Sequence, residues 1–379
     1  MLSRLNIFYI SSLLCAGVLT YFYPPLSAPP GYSVSEYRHS QPVQEQEPRL
    51  EQYFLNPLND PPSVHAGSLT QLPDGEVIAA WFGGSREGAA DVAIYTARFD
   101  AVEQEWSTPV VVTDRLRTSR ELGRYVRKLG NPVIYADQEG RVWLYYVTVS
   151  LGGWAGSSIT VKVSENGGRR WSEAQRLVTS PFLNVSTLVK GSPIALEQGQ
   201  LLLPVYHEMI NKFSEVLQLD ARNRLIAKYR ITHQPQAIQP WVVPQSGTRA
   251  TAFYRRSGDA PPRVLVNQSH VSSKHWNDLS PSDAPNPGAS VSVIRGHDGQ
   301  YLMAYNPQES NRTQLALARS SDGLHWEKIR ELELGKDGDE FSYPYLIRGQ
   351  NDNYHLIYTW QRKRMRHLIF NQAWLEETS

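Results

Sequence analysis

The chain has 379 residues, of which 11% are aromatic and 20% charged, with 26 glycines and 25 prolines. This composition is typical of a folded, turn-rich β protein and excludes a collagen or coiled-coil chain. The 38 basic and 37 acidic residues nearly cancel, so the overall charge argues against a nucleic-acid partner.

The chain begins with an uncharged apolar run from Ile7 to Tyr23, preceded by Arg4. A run of about 17 such residues is typical of a membrane anchor or a signal peptide. We favour the uncleaved anchor for residues 1–28, because Leu26-Ser27-Ala28 is a poor cleavage site. The sequence therefore predicts an extracytoplasmic protein that is attached to a membrane, periplasmic or at the cell surface, or else secreted.

Residues 29–62, rich in Pro, Gln and Glu, predict a linker with a possible closing strand near Gln52–Leu55. From residue 63 to 379 a unit recurs in which a short apolar strand, a turn and a more aromatic strand follow one another. Six such hairpins predict an all-β protein, a six-bladed β-propeller. The turn residues are Gly75, Gly140, Gly199, Gly247, Gly299 and Asn353.

A second recurring pattern has the form Ser-x-Asp-x-Gly-x-x-Trp after a strand of period two. Ser164 to Trp171 fits it with Asn166 in place of Asp, and Ser320 to Trp326 is one residue short. Ser269, Ser273 and Trp276 keep a degraded form. The Asp or Asn bonds its own turn and the Trp packs between sheets, so the pattern predicts a structural turn on the outer rim.

The repeat register predicts which residues meet at one end of the propeller. The turns of the hairpins lie on one face, so the starts of the first strands and the ends of the second strands share the opposite face. The polar residues placed there are suited to a sugar pocket. They are His65, Asn131, Lys190, Gln239, Asn286 and Tyr343 from strand starts, and Arg86, His207, Glu208, Arg255 and Arg256 from strand ends.

The Ser-x-Asp-x-Gly-x-x-Trp pattern resembles the Asp-box of bacterial sialidases and related propellers. Together with the segments WFGGSREGAADVAIY, LPVYHE and EFSYPYLI, these Asp-boxes resemble the sialidase superfamily, in its exo-α-sialidase-like branch. The resemblance implies a retaining exo-glycosidase that removes a terminal acidic sugar, such as a sialic or related nonulosonic acid. Such enzymes grip the sugar carboxylate with several arginines and use Tyr as nucleophile. No metal or cofactor is expected, since Cys15 is the only cysteine and His207-Glu208 lacks the HExxH spacing.

By this resemblance Tyr343 looks like the nucleophile, and Arg86 with Asp91 like the arginine and acid/base pair of the first blade. Arg255 or Arg256, and Arg312, are similar to the other carboxylate-binding arginines. Asp91 lies between alanines and an apolar strand, a setting that favours a raised pKa.

Two positions depart from the family pattern: His65 stands where an arginine is usual, and Gln239 where the glutamate that activates Tyr is expected. Glu208 or Glu340 are the substitutes for that glutamate. Two alternatives to a glycosidase therefore stay open. One is a non-catalytic carbohydrate-binding propeller in polysaccharide assembly, and the other is a polysaccharide lyase that uses Tyr343 and His207.

Overall fold

Six antiparallel sheets form the protein in a computed structural model that describes residues 9–15, 46–180, 184–196, 199–246, 249–269, 276–350 and 352–377. Each sheet has four or five strands, and most strands that follow one another within a blade are hydrogen-bonded neighbours. The prediction of a six-bladed β-propeller is confirmed. The predicted turn at Gly247 and the position of Ser273 lie outside the described residues.

The blades follow one another along the chain. Blade 1 consists of β2 (Ser63–Gln71), β3 (Val77–Gly84), β4 (Ala93–Asp100), β5 (Glu105–Trp106) and β6 (Val110–Asp114). Blade 2 consists of β7 (Lys128–Ala136), β8 (Val142–Val149), β9 (Ser157–Ser164) and β10 (Gln175–Arg176). Blade 3 consists of β11 (Leu188–Val189), β12 (Ile194–Ala195), β13 (Leu201–His207), β14 (Phe213–Leu219) and β15 (Leu225–Arg230).

The second half repeats the arrangement. Blade 4 consists of β16 (Ala237–Ser246), β17 (Arg249–Arg256), β18 (Arg263–Gln268) and β19 (Ser280–Pro285). Blade 5 consists of β20 (Ser292–Arg295), β21 (Tyr301–Tyr305), β22 (Gln314–Ser320) and β23 (Glu327–Leu334). Blade 6 consists of β24 (Phe341–Arg348), β25 (Asn353–Trp360), β26 (Arg364–Asn371) and β1 (Leu50–Phe54).

The ring is closed by a strand from the start of the chain. The sequence predicts this strand near Gln52–Leu55, and the structure has it at Leu50–Phe54, paired antiparallel with β26. The innermost strand β2 also contacts β7 and β24, its neighbours on either side of the ring. Closure removes the exposed edge that the last blade would otherwise have.

The propeller has two short helices besides its strands. Helix α1 (Arg115–Leu122) connects blades 1 and 2, and the Asp114 side chain caps it by accepting from the backbone N–H groups of Leu116 and Arg117. Helix α2 (Gln372–Glu376) ends the described chain, and Trp154–Gly156 form a 3-10 turn. Residues 9–15 are helical, while the rest of the run from 7 to 23 lies outside the described residues. Within the described ranges, no helix has the length and apolar character needed to cross a membrane.

The Asp-box turns have the internal bonds that the sequence predicts. In blade 5, Asp322 Oδ1 accepts from the backbone N–H groups of Leu324 and His325, at 2.8 and 2.9 Å. In blade 2, Asn166 Oδ1 accepts from the Ser164 hydroxyl at 2.9 Å. Trp326 then packs against Phe253 of the neighbouring blade, with ring centroids 5.7 Å apart. These residues stabilise contacts between blades.

Bulges recur in four of the innermost strands and direct side chains toward the axis. The register shifts between His65 and Ser68 in β2, Gly130 and Val133 in β7, Ile238 and Trp241 in β16, and Ser342 and Tyr345 in β24. In each bulge one residue has a left-handed backbone conformation. These residues are Ala66 (φ 50°), Asn131 (φ 42°), Gln239 (φ 55°) and Tyr343 (φ 55°). A positive φ is unfavourable for a bulky residue, and such strain clusters at functional sites.

Candidate functional site

The phenol of Tyr343 lies at the end of the propeller where the inner strands begin, which we call the mouth. Its hydroxyl accepts a hydrogen bond from Arg255 Nη1 at 3.2 Å, and Gln239 Nε2 lies 3.5 Å from it. Gln239 also faces the hydroxyl of Tyr206, at 3.4 Å, which in turn accepts from Asn131 Nδ2 at 3.1 Å. Bulged positions of three blades thus meet around two phenols.

Below this phenol lies a fully buried lysine. Lys190 Nζ donates to the Gly67 carbonyl at 3.0 Å and lies 5.6 Å and 5.0 Å from the ring centroids of Tyr343 and Tyr345. Gly191 follows it, and a Cβ there would come within 2.1 Å of the Pro240 carbonyl, so only glycine allows this close approach of blades 3 and 4. Burial lowers the pKa of Lys190 to about 7.

We expect Lys190→Met to stabilise the fold, and most at or below neutral pH. Below about pH 7 the lysine is charged in both the folded and unfolded states, so its burial penalty is fully present. As the pH rises toward the unfolded pKa, the unfolded chain binds more protons and the penalty fades. Replacing a buried charge by an apolar side chain gains about 1–4 kcal/mol in favourable cases.

Urea unfolding of the full chain at pH 6 and pH 9.5 measures this gain, which should shrink at the higher pH. Lys336→Met, on the exposed surface, is the matched control and should leave the free energy of unfolding nearly unchanged. A Lys190→Met protein that is less stable at both pH values would contradict the prediction, because the cation–π contacts would then outweigh the cost of burial.

Arginines surround the phenol on its open side. The guanidinium of Arg312 lies 6.0 Å from the centroid of the Tyr343 ring and donates to the Gly288 carbonyl at 3.0 Å. Arg255 Nε is buried with no acceptor among the described residues. Burial, and then the charge of Arg255, lower the pKa of Arg312. Two guanidinium groups so close together are stabilised when an anion binds between them.

Glu340 partly balances this positive charge. It accepts from Arg362 Nε at 2.6 Å and from the Ser342 hydroxyl at 2.6 Å, and lies 3.5 Å from Arg312 Nη1. Burial favours its neutral form, but these hydrogen bonds and the charge of Arg362 outweigh burial and lower its pKa. Arg362 also pairs with Glu87 at 3.0 Å, so carboxylates neutralise Arg362, while Arg255 pairs with no carboxylate within the described ranges.

His65 lies under the same cluster and is uncharged at neutral pH. Its ring is 4.4 Å from that of Tyr343, between centroids. Burial, followed by the charges of Arg362, Arg312, Lys190 and Arg255, keeps its pKa well below the usual value. His65 therefore contributes an uncharged ring that packs against Tyr343. The cations of the site are Arg255, Arg312 and Lys190.

The prediction for the pKa of Asp91 is wrong. Asp91 is exposed on the loop after β3, and its two carboxylate oxygens accept from the backbone N–H and the hydroxyl of Ser85, both at 2.9 Å. The hydroxyl bond is the main reason that its pKa is lowered, and the charge of Arg86 adds a little. The alanines beside it in the sequence do not surround the carboxylate. Arg86 is also exposed on this loop.

Other residues predicted for the site have structural partners instead. The Asn286 side chain bonds the backbone of Gly288 and Ala289, so it forms a turn rather than a contact surface. Arg256 Nη1 donates to the carbonyls of Gly258 and Ala260 in the turn after β17. Local backbone bonding thus takes up the amide of Asn286 and one terminal nitrogen of Arg256, whose Nε has no partner among the described residues.

The residues at the end of β13 have hydrogen-bond partners other than the phenol of Tyr343. His207 Nε2 and Glu215 Oε2 are 2.8 Å apart, and the His207 ring stacks on Phe213 at 4.3 Å between centroids. Glu208 is half-buried, with its backbone N–H bonded to the Ser186 hydroxyl, and its charge acts on Tyr206. The amide of Gln239, not Glu208, lies next to the hydroxyl of Tyr343.

Sequence reasoning missed Tyr206, and it did not foresee the link from Glu87 through Arg362 to Glu340. Tyr206 lies one residue before His207 on a strand that ends at the mouth, so the same repeat register indicates it. The link joins residues 275 positions apart, and no local pattern in the sequence signals it.

Comparison with known proteins agrees with this architecture. The sequence profile of the BNR repeat-like domain matches residues 75–356, and the chain belongs to this family. No curated protein matches the sequence. Among solved structures, the Hadza microbial sialidase Hz136 is similar with a TM-score of 0.69 at 14% identity, over 85% of this chain and 68% of that one.

Two further structures show how widely the fold is shared. The intramolecular trans-sialidase from Ruminococcus gnavus, solved with oseltamivir carboxylate, has a TM-score of 0.67 at 13% identity, over 83% of this chain and 96% of that one. The α-L-arabinanase of Penicillium chrysogenum, solved with arabinobiose, has a TM-score of 0.62 at 13% identity, over 88% of this chain and 100% of that one. This chain shares its fold with sialidases and with an arabinanase. Together with the match to the BNR repeat-like domain, this confirms the predicted resemblance.

Proposed function

We propose that this protein is a retaining exo-glycosidase that removes a terminal acidic sugar, such as a sialic or related nonulosonic acid, from a glycan. The observation that carries the proposal is the phenol of Tyr343, bonded to Arg255 and flanked by Arg312 and Lys190. These cations suit a sugar carboxylate, which a carboxylate nucleophile would repel but a tyrosine would not.

The chemistry assigns two further roles. Tyr343 gives its phenolic proton to a base, for which Glu208 is the candidate from the sequence, and its oxygen attacks the anomeric carbon as the bond to the leaving oxygen breaks. Water then hydrolyses the covalent glycosyl intermediate, and the phenolate takes its proton back. Asp91, on the exposed loop after β3, protonates the leaving oxygen and afterwards takes a proton from the water. Since the pKa of Asp91 is lowered in the free protein, the bound substrate has to displace the Ser85 bond before the acid can act.

A panel of fluorogenic sialyl, uronyl and related glycosides tests this function with the full chain. We expect Asp91→Asn to lower the rate by roughly 10²–10⁴-fold, and by less when the leaving group is activated, because such a group needs no proton. Asp74→Asn, on an exposed turn at the opposite face, is the matched control. A wild-type protein that cleaves none of these glycosides would count against the proposal.

One observation favours a second candidate, a non-catalytic carbohydrate-binding propeller. Among the hydrogen bonds between described residues, the partner of the Tyr343 hydroxyl besides Arg255 is the amide of Gln239. An amide cannot take up the proton that the phenol must lose in order to attack. Saturable binding of an acidic sugar in calorimetry, without turnover of any glycoside, would support this candidate.

We also propose that the run from Ile7 to Tyr23 holds the protein on a membrane, facing out of the cytoplasm. The support is the absence of charge over this stretch of the sequence. Fractionation with alkaline extraction tests the attachment. Recovery of the full-length protein in the cytosol would refute it.

A further inference from the structure

The connection between blades 1 and 2 carries an unusual density of positive charge. Residues 115–128 contain Glu121 as their single acidic residue, in a chain with 38 basic and 37 acidic residues overall. We call this segment the basic rim. Its cations are Arg115, Arg117, Arg120, Arg124, Arg127 and Lys128.

The basic rim borders the mouth on the side of the Asp91 loop. Arg115 Nε donates to the Ala90 carbonyl, next to Asp91, at 2.8 Å. At the other end of the rim, Lys128 Nζ lies beside Gly88, 3.8 Å from where a Cβ would be. Both ends of the rim therefore contact the loop that holds the proposed acid.

The positive charge of the basic rim is largely uncompensated by the described residues. Glu121 bonds Arg117 at 2.9 Å, but it also bonds Lys162 at 2.5 Å and the Ala174 backbone N–H at 2.9 Å. The other contacts of the rim are neutral oxygens: Arg124 donates to the Ser150 hydroxyl and Arg127 to the Gly152 carbonyl. Burial and then the charge of Arg127 lower the pKa of Lys128, while the charge of Glu87, which also pairs with Arg362, acts in the opposite direction.

An aromatic surface continues the rim. Lys128 Nζ lies 4.2 Å from the ring centroid of half-buried Trp154. The same ring lies against Gly130, where a Cβ would come within 2.7 Å of it, so β7 and the ring touch directly. Cations beside an indole are a combination that suits an anionic sugar chain, whose rings stack while its carboxylates pair.

We propose that the basic rim binds the sugars that precede the terminal residue, so that the substrate is a polyanionic glycan rather than an acidic sugar on a neutral chain. The inference rests on the proposed function, because the terminal sugar in the mouth places the rest of the chain along the Asp91 loop. An anionic membrane surface would satisfy the same charges, but the contacts with the catalytic loop favour a ligand that enters the mouth.

Binding of the full chain to two soluble polyanions, polysialic acid and oligogalacturonate, tests this inference without any turnover. The variant is Arg120→Gln with Arg127→Gln, both exposed. The control is Arg169→Gln with Arg170→Gln, also exposed, on the Asp-box turn at the opposite face. We expect the rim variant to weaken binding roughly three- to tenfold, given the usual strength of exposed ion pairs, and the control to leave it unchanged. Thermal unfolding checks that both variants fold.

The outcomes separate this inference from the proposed function. Affinity for at least one polyanion that falls with added salt, and that the rim variant selectively loses, supports the inference even if no glycoside is cleaved. Absence of polyanion binding, or equal loss in the control variant, overturns it. The inference is also overturned if the protein binds vesicles of phosphatidylglycerol through the basic rim but binds neither glycan, because the rim would then face a membrane.

Discussion

Tyr343→Phe is expected to abolish turnover while leaving binding of the acidic sugar largely intact. The change removes the nucleophilic oxygen, and losses of this kind cost at least about a thousandfold in kcat. The ring remains, so Arg312 and Lys190, which lie 6.0 Å and 5.6 Å from its centroid, keep their positions. Initial rates on a fluorogenic glycoside, together with calorimetric Kd values, measure the two effects separately.

Tyr345→Phe is the matched control, two residues further along β24. This tyrosine is also buried in the inner strand, and its ring lies 5.0 Å from Lys190 Nζ and 5.0 Å from the Trp241 ring. Its substitution should leave kcat near the wild-type value. If Tyr343→Phe also retains the wild-type rate, tyrosine is not the nucleophile and the retaining mechanism proposed here is wrong.

The architecture could be predicted because each blade repeats one local signal. Gly75, Gly140, Gly199 and Gly299 all adopt a positive φ, as the hairpin turns require. In the last hairpin the left-handed residue is Asp352 rather than Asn353, which begins β25. A shift by one residue does not change the pairing of strands, so the prediction of six blades was insensitive to it.

The site could be predicted only in part, because the local backbone structure at the start of each inner strand decides which side chains reach the axis. Repeat register alone placed Tyr343, His65 and Lys190 at the mouth, where the structure brings them together. The register could not distinguish these residues from Asn286, which has the equivalent position in its own blade. The side chain of Asn286 instead accepts hydrogen bonds from the backbone of a turn. Whether a side chain reaches the axis depends on local backbone bonding, which the pattern of polar and apolar residues does not encode.

Gln239→Glu is expected to raise kcat by roughly 10²–10⁴-fold, the usual contribution of a general base. The amide lies 3.5 Å from the Tyr343 hydroxyl, and its Oε1 is buried with no partner among the described residues. A carboxylate in the same place would accept the phenolic proton during attack. Arg255, bonded to that hydroxyl at 3.2 Å, would offset the cost of burying the new charge.

Gln239→Met serves as the control, since it keeps the volume of the side chain but offers no acceptor, and it should not raise the rate. The measurement is kcat for the same glycoside across pH, because the gain should appear only where the new carboxylate is ionised. Activity that arises in Gln239→Glu from an inactive wild type would mean that the natural protein binds sugars and lacks only its base. An active wild type that gains nothing would mean that another group already takes the proton from Tyr343, and Glu208, whose charge reaches the neighbouring Tyr206, would be the residue to replace next.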